Sequence, residues 1–239
     1  EYNSVLRNTL KNNTRCGIRL QNSNHNEICG NNVEENGIGF CIYDSSNNLV
    51  YHNRFMNNAV QASTHNSTNL WDDGYPSGGN YWSDYVDEDM FSGTFQNETC
   101  SDSIWDHPYT IGEKNIDRYP LAPSVDVDPD TLNFKSKGKW ITVHIELPKG
   151  FDLGGIDRTA ILLNGTIRVD SFWVNKPLQS VIGDYDEDGI QDLMVKFDRQ
   201  SVLDFLRTRG IANAEITLAV TGAVDGIPFE CNDKLVVIG

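Results

Sequence analysis

Three segments of eleven residues decide the fold: NSVLRNTLKNN (3–13), NEICGNNVEEN (26–36) and NLVYHNRFMNN (48–58). Each has asparagine at its first, sixth and eleventh positions and an apolar residue at its third and eighth. The segments begin 23 and 22 residues apart, and Asn69 follows 21 residues later. A repeat period of 20 to 50 residues is typical of a solenoid.

The repeat predicts a solenoid of strands. Short alternations of apolar and polar residues indicate strands, Asn and Gly suit the turns between them, and no segment has ten residues of helical periodicity. About 22 residues with three short strands fit one coil of a right-handed parallel β-helix, which we place at 1–70. With a one-residue slip, GIRL (17–20) matches GFCI (39–42). Asparagines at one turn of successive coils are expected to stack into a ladder.

The amino-acid composition excludes some classes of function. The chain has 239 residues, 38% of them apolar, with 19 basic and 34 acidic side chains and a formal net charge of -15. An acidic surface repels phosphate backbones, so nucleic acid is not an expected partner. No apolar run approaches the roughly 20 residues of a membrane span. Of 25 asparagines, 17 fall in the first 69 residues, and their regular spacing indicates structure and not a disordered tract.

The segment NLWDDGYPSGGNYWSDY (69–85) resembles the closing segment of secreted parallel β-helix proteins, and DHPYTI (106–111) and DRYPL (117–121) continue the similarity. The chain is similar to carbohydrate-binding and sugar-hydrolase β-helix proteins and to the periplasmic copper-maturation β-helix proteins of the nitrous oxide reductase system. It is particularly similar to versions in surface proteins of methanogenic archaea. This resemblance implies an extracellular, cell-surface setting and a closing segment at 71–122, but no particular reaction. Because the chain begins within a repeat, we expect preceding residues of a longer protein, or another chain, to cover this end.

The closing segment is strongly acidic, with nine acidic residues and no Lys or Arg in 71–106. Calcium takes six to eight oxygen ligands, which such a loop supplies. The alternative is a solvated loop, since the relatives' calcium-type loop has more carboxylates at the stretch matching 102–106. The candidate ligands of this second metal site are Asp84, Asp87, Asp89, Asp102 and Asp106.

Aromatic residues of the same segment have two interpretations. Trp71, Trp82 and Tyr85 are candidate contacts to a glycan, through stacking of a sugar on the ring. The alternative is that the tryptophans cap the apolar end of the coils.

The second half, 123–239, lacks the asparagine bias and predicts an antiparallel β-sandwich. It resembles the C-terminal β-sandwich modules of archaeal surface proteins. A short helix is expected at 200–208, with Asp198 and Ser201 as candidate caps. The predicted strands are 140–147, 160–169, 193–197, 214–221 and 234–238.

The motif DYDEDGIQD (184–192) predicts a calcium loop in this domain. Acidic residues at positions 1, 3 and 5 with Gly at 6 match the first half of an EF-hand loop. Val195 stands where the usual bidentate acid would be, and Asp198 is a candidate substitute. The alternative is an ordinary acidic turn. The predicted ligands are Asp184, Asp186, Asp188, the carbonyl of Ile190, and Asp192.

The five cysteines allow two candidate disulfides, Cys16 with Cys41 in adjacent coils and Cys100 with Cys231 between domains, but their spacing does not fix the pairing. The repeat register places Cys29 between Leu6 and Tyr51 in adjacent coils, which favours a thiol in the core. The histidines share no register position, so copper is not expected. Candidate glycosylation sites are Asn12, Asn66, Asn97 and Asn164.

Taken together, the residues favour a structural or adhesive module stabilised by calcium, and the resemblance implies that it is extracellular. Its partners would be copies of itself, other cell-surface proteins or polysaccharide. One alternative is a fragment of a polysaccharide lyase or glycoside hydrolase. Glu27, Glu34, Glu35 and Asp44, however, do not share one column of the repeat as a paired-carboxylate site requires. The other alternative is a carbohydrate-binding module without catalysis.

Overall fold

A computed structural model describes residues 2–148, 151–185, 190–224 and 226–239. The chain divides into unit 1, built on Glu1–Ala122, and unit 2, built on Pro123–Leu147 and Phe151–Gly239. Both units consist mainly of β-strands. Within the described ranges, no helix is long and apolar enough to cross a membrane.

Unit 1 is a stack of coils with three strands each. Its strands are, in chain order, β1 (Ser4–Leu6), β2 (Thr9–Lys11), β3 (Cys16–Gln21), β4 (Glu27–Cys29), β5 (Asn32–Glu34), β6 (Ile38–Tyr43), β7 (Leu49–Tyr51), β8 (Arg54–Met56), β9 (Ala62–His65), β10 (Tyr81–Trp82), β11 (Phe91–Ser92), β12 (Glu98–Thr99), β13 (Tyr109–Gly112) and β14 (Asn115–Asp117). Parallel sheets form in the orders β1-β4-β7, β10-β8-β5-β2 and β3-β6-β9, so each coil adds a strand to each of three sheets. This arrangement confirms the predicted parallel β-helix.

The register follows the sequence repeat. Val5 lies opposite Ile28, which lies opposite Val50, and the expected alignment of 17–20 with 39–42 is confirmed by the pairing of β3 with β6. The same register corrects the interpretation of Cys29. Ile28 points into the coil and is fully buried, so its neighbour Cys29 lies on the outer side and is half-buried.

Asparagine ladders run along the corners of the coils. In each step, the Asn Nδ2 and backbone N–H donate to the Oδ1 of the Asn one coil further on. One ladder runs through Asn3, Asn26, Asn48 and Asn69, with Nδ2 to Oδ1 distances of 3.0, 2.8 and 2.8 Å. A second runs through Asn8, Asn31, Asn53 and Asn80, with distances of 3.0, 2.9 and 2.9 Å. A third runs through Asn13, Asn36 and Asn58, with distances of 2.8 and 3.0 Å.

At most ladder positions, the residue before the asparagine turns the corner with a left-handed backbone. In the second ladder these residues are Arg7, Gly30 and His52, with φ of 54°, 67° and 52°. A left-handed residue strains most side chains, yet the fold accepts Arg and His at this position. The ladder hydrogen bonds of the following Asn hold the corner in place.

The closing segment covers the last coil with aromatic side chains. Trp82 stacks on Phe55 of β8 at a centroid distance of 4.6 Å, and Tyr109 of β13 stacks on Trp82 at 4.3 Å. Trp71 contacts Phe40 edge-on. The antiparallel hairpins β11–β12 and β13–β14 complete the segment.

Unit 2 has two sheets that share one core. Its elements are β15 (Ser124–Asp128), β16 (Thr131–Asn133), β17 (Trp140–Glu146), β18 (Leu162–Leu163), β19 (Ile167–Arg168), α1 (Ser171–Val174), β20 (Ile182–Gly183), β21 (Asp192–Asp198), α2 (Arg199–Thr208), β22 (Ala214–Val224) and β23 (Ile227–Ile238), with 3₁₀ turns at Leu153–Gly155 and Leu178–Ser180. The sheet orders are β15-β17-β21-β20 and β16-β23-β22-β18-β19. Residues of both sheets, such as Val143 and Val220, belong to one buried cluster.

Three details of unit 2 bear on the predictions. The helix expected at 200–208 is confirmed as α2. The segment 160–169 forms two short strands joined at Asn164–Gly165, where both residues have positive φ, as a tight hairpin turn requires. One strand pair, β16 with β23, is parallel, because the chain passes from one sheet to the other after Asp128.

Candidate functional site

Two buried polar side chains of β14 end the asparagine ladders. Asn115 accepts a hydrogen bond from the Asn69 backbone N–H at 3.0 Å and from Trp71 Nε1 at 3.1 Å. Asp117 accepts from the Asn80 N–H at 2.8 Å and from Trp82 Nε1 at 2.9 Å, both on Oδ2. An aspartate can end a ladder because its carboxyl oxygen accepts the last donors and, unlike asparagine, it has no amide NH2 group that needs an acceptor in a further coil.

Asp117 is fully buried. Burial raises its pKa from the usual 3.8 to about 7, against the opposing effect of the donors from Trp82 and Asn80. Its carboxylate lies so close to Gly79 that a Cβ there would lie 1.8 Å from Oδ1. Only glycine at position 79 leaves room for the Asp117 side chain to pack against the last coil.

A second buried carboxylate joins the two parts of the closing segment. Asp72 accepts from Arg118 Nε at 2.9 Å and from Arg118 Nη2 at 2.6 Å, and also from the Arg118 backbone N–H at 3.2 Å. The Asp72 side chain is 1% exposed and that of Arg118 is 56% exposed. This fork-shaped pair holds the turn after Trp71 against β14.

The remaining acidic residues of the closing segment do not converge on one point. In the described part of the chain, no three of the five candidate ligands bring ligand atoms within 4.8 Å of one another. Each bonds to a separate partner: Asp84 to Tyr109, Asp87 to His107, Asp89 to Ser101 and the 102–103 backbone, Asp102 to Gln96, and Asp106 to the N–H groups of Met90 and Phe91. In this arrangement the five side chains serve as acceptors for loop N–H and side-chain donors, and the second metal site stays a prediction.

Burial also affects two of these carboxyl groups. It raises the pKa of Asp89 to about 6, and it raises the pKa of Asp102, whose side chain accepts from Gln96 Nε2 at 3.0 Å.

Trp71 and Trp82, two of the predicted glycan contacts, are buried within the closing segment. Trp71 and Trp82 are 0% and 1% exposed, so no sugar reaches their rings. Tyr85 is half-buried, and its hydroxyl donates to the His107 carbonyl at 3.0 Å. The alternative interpretation, that the tryptophans cap the coils, agrees with their packing.

The motif 184–192 is described only in part, because Asp186 and Asp188 lie outside the described residues. The carboxylate of Asp192 accepts from the Tyr185 N–H at 2.9 Å, across the mouth of the loop. Val195 is fully buried on β21. Asp198 is not a substitute ligand: it is the N-cap of α2, and it accepts from the Ser201 N–H and Oγ at 2.9 Å each.

The sequence interpretation missed one group of metal-ligand type. Asp126 and Asp128 lie on one face of β15, and His144 lies opposite Asp126 on β17. Their ligand atoms all lie within 4.8 Å of one another. The i, i+2 spacing of the two acids was visible in the sequence, but the strand that supplies His144 was not. Tyr185 stacks on His144 at 4.6 Å.

Cys16 and Cys41 form a disulfide between adjacent coils. Cys231 lies in the core of unit 2 at 4% exposure, and Cys100 is exposed in unit 1; the candidate bridge between them stays a prediction. Of the four candidate glycosylation sites, Asn12, Asn66 and Asn97 are exposed and Asn164 is half-buried.

The comparison with protein families bears on unit 1. Residues 1–86 match the periplasmic copper-binding protein (NosD) family. This family has the parallel β-helix fold, and the match covers all nine strands of the three coils and the beginning of the closing segment. No curated protein and no solved structure matches the chain.

Proposed function

We propose that this protein is an extracytoplasmic structural module whose β-helix is a rigid, closed scaffold. One observation carries the proposal: the polar residues of unit 1 are used to hold the coils together. The three ladders occupy ten of the seventeen asparagines in the first 69 residues, and β14 satisfies the end of two ladders. The match to a periplasmic family and the Cys16–Cys41 disulfide support a location outside the cytoplasm.

We further infer that the two sheets of unit 2 form a β-sandwich, because one apolar cluster fills the space between them. In this proposal, unit 2 is a module stiffened by calcium at 184–192. The bond between Asp192 and the Tyr185 N–H supports the loop, since it brings its two ends together.

Adhesion, either to polysaccharide or to other copies of the chain, is the role that we propose for such a scaffold. Enzymatic cleavage is less well supported. Glu27 and Glu34 lie in different sheets of the coils, and each is engaged with a neighbour, Tyr51 at 2.7 Å and Lys11 at 3.4 Å. Copper binding is not proposed, because in 2–86 no three His, Cys, Asp or Glu side chains bring ligand atoms within 4.8 Å.

The test incubates the purified protein with neutral and acidic polysaccharides. Products are measured as new reducing ends and as ultraviolet absorbance of unsaturated sugars, with boiled protein as the control. We expect retention of the protein on polysaccharide or self-association in sedimentation and electron microscopy, without product. Products that appear only with the native protein would overturn the structural proposal in favour of an enzyme.

Calcium binding has a separate test by calorimetric titration. We expect calcium to bind the native chain and to raise its melting temperature, and chelation to reverse the rise. Asp186→Asn should weaken binding, whereas Glu215→Gln, at an exposed position of β22, should not. A melting temperature that chelation leaves unchanged would show that the motif is an ordinary acidic turn.

A further inference from the structure

A basic pocket lies in unit 2 of this acidic chain. It has a volume of about 390 Å³ and lies between the 134–139 segment and residues 198–207 in and beside α2. Four basic side chains, Lys137, Lys139, Arg199 and Arg207, line it together with one acidic side chain, Asp198. The chain as a whole has 34 acidic against 19 basic residues, so this is a local reversal of charge. A concave surface with an excess of one charge concentrates ions of the opposite charge.

Arg199 is the central residue of the pocket. It is 4% exposed, and its Nη2 donates to the Asn133 carbonyl and to Ser136 Oγ, the latter at 2.6 Å. Its Nη1 is buried without a hydrogen-bond partner among the described residues. A buried donor that has lost water and has no acceptor is unfavourable. Arg199 also lines the pocket, so an anion seated there would bring an acceptor close to this guanidinium.

The acidic residue of the lining does not neutralise this guanidinium. The Asp198 carboxylate caps α2 by accepting from the Ser201 N–H and Oγ. The negative charge of Asp198 therefore lies at the amino terminus of α2, where it is hydrogen-bonded.

Two of the other cations are held in place by aromatic rings. Lys139 Nζ lies 4.3 Å from the ring centre of Trp140, and the Arg207 guanidinium lies 5.1 Å from that of Phe134. Such contacts restrict long side chains, so less freedom is lost when they contact a ligand.

We propose that this pocket binds an oxyanion, that is, a carboxylate, sulfate or phosphate group. Arg199 supplies the buried contact, and Lys137, Lys139 and Arg207 supply the positive rim. The same chemistry is found in a free ion and in the acidic group of a glycan. The proposal goes beyond the structural role proposed above and does not depend on it.

The test uses the whole protein at constant ionic strength. Sulfate, phosphate and acetate are titrated by calorimetry and by thermal melting, alongside a sulfated disaccharide and an oligogalacturonate. We expect saturable binding that Lys137→Gln weakens about two- to fivefold, as for removal of one exposed charge. Lys234→Gln, at an exposed position of β23, is the matched control and should bind as the wild type does.

Arg199→Met tests the buried contact and should abolish binding, with circular dichroism as the check that it folds. If an acidic saccharide binds more tightly than the free ions, the proposal is supported and the ligand is a glycan. If the saccharides and the free ions bind equally tightly, the proposal is supported and the ligand is a free oxyanion. No saturable response up to about 50 mM, well beyond millimolar affinity, would overturn it. Equal binding by Lys137→Gln and wild type would do so as well.

Discussion

The carboxylate of Asp117 provides the sharpest test of how the β-helix is closed. We compare Asp117→Asn with Asp117→Ala. Both variants remove the ionisable group and the Oδ1 acceptor of the Tyr119 N–H, so their difference reports the donors to Oδ2 together with the smaller volume of Ala. In the Asn variant, the amide oxygen can still accept from the Asn80 N–H and Trp82 Nε1, the donors that lie 2.8 and 2.9 Å from the native carboxylate. In the Ala variant both donors are buried without an acceptor.

Each buried donor left without a partner costs about 1–3 kcal/mol. For two donors we expect the Ala variant to be less stable than the Asn variant by about 3 kcal/mol. The third donor to Oδ2, Asn80 Nδ2, does not enter this difference, because it also donates to the carbonyls of Val50 and Trp71 at 3.0 and 2.7 Å.

The wild type differs from both variants in its response to pH. Native Asp117 holds its proton up to about pH 7, whereas an unfolded aspartate releases it near 3.8. Between these values the native state binds more protons, so the free energy of unfolding falls as pH rises. From pH 5 to pH 8 the fall from Asp117 alone is about 3 kcal/mol. Both variants should lack this part of the pH dependence.

Hydrogen exchange read by mass spectrometry measures the stability of 78–84 separately from that of unit 2, and calorimetry gives the melting temperatures. Glu113→Ala is the control, since it removes an exposed carboxylate from the loop between β13 and β14. Equal stability of the Ala and Asn variants would refute the role of the acceptors. A pH dependence that is as steep in the Asn variant as in the wild type would refute the role of the buried charge.

Three further results are expected. Gly79→Ala should destabilise unit 1 by about 2 kcal/mol or more in urea unfolding, because its Cβ overlaps the Asp117 carboxylate; a variant as stable as the wild type would contradict this close approach. Reduction of Cys16–Cys41, which are 25 residues apart, should lower the free energy of unfolding by about 3 kcal/mol, and an unchanged urea midpoint would contradict it. The variant Asp89→Asn should reduce the fall in stability between pH 5 and pH 7, since burial raises the pKa of Asp89 to about 6; an unaltered pH profile by calorimetry would count against it.

The coils could be predicted from the sequence because their residues repeat at a spacing that the structure uses directly. The residues that end the ladders could not be predicted from the sequence. Asn115 accepts from Asn69 across 46 residues, and Asp117 accepts from Asn80 across 37, both far from the period of 21 to 23. The side on which Cys29 lies was mistaken because one residue of shift reverses the face of a strand.

The calcium motif and the acidic closing segment have similar compositions but differ in the spacing of their acidic residues. A loop without a strand partner must still satisfy its N–H groups, and carboxylates such as Asp89 and Asp106 do this in the closing segment. A high density of acidic residues therefore indicates either a cation or a set of backbone donors. The spacing at 184–192, in which alternate side chains face one point, favours the cation there, whereas the unequal spacing at 84–106 favours the donors. Arg199 is the corresponding case for a donor. Its buried Nη1 has no acceptor among the described residues, which we interpret as a sign of an anionic ligand from outside the chain.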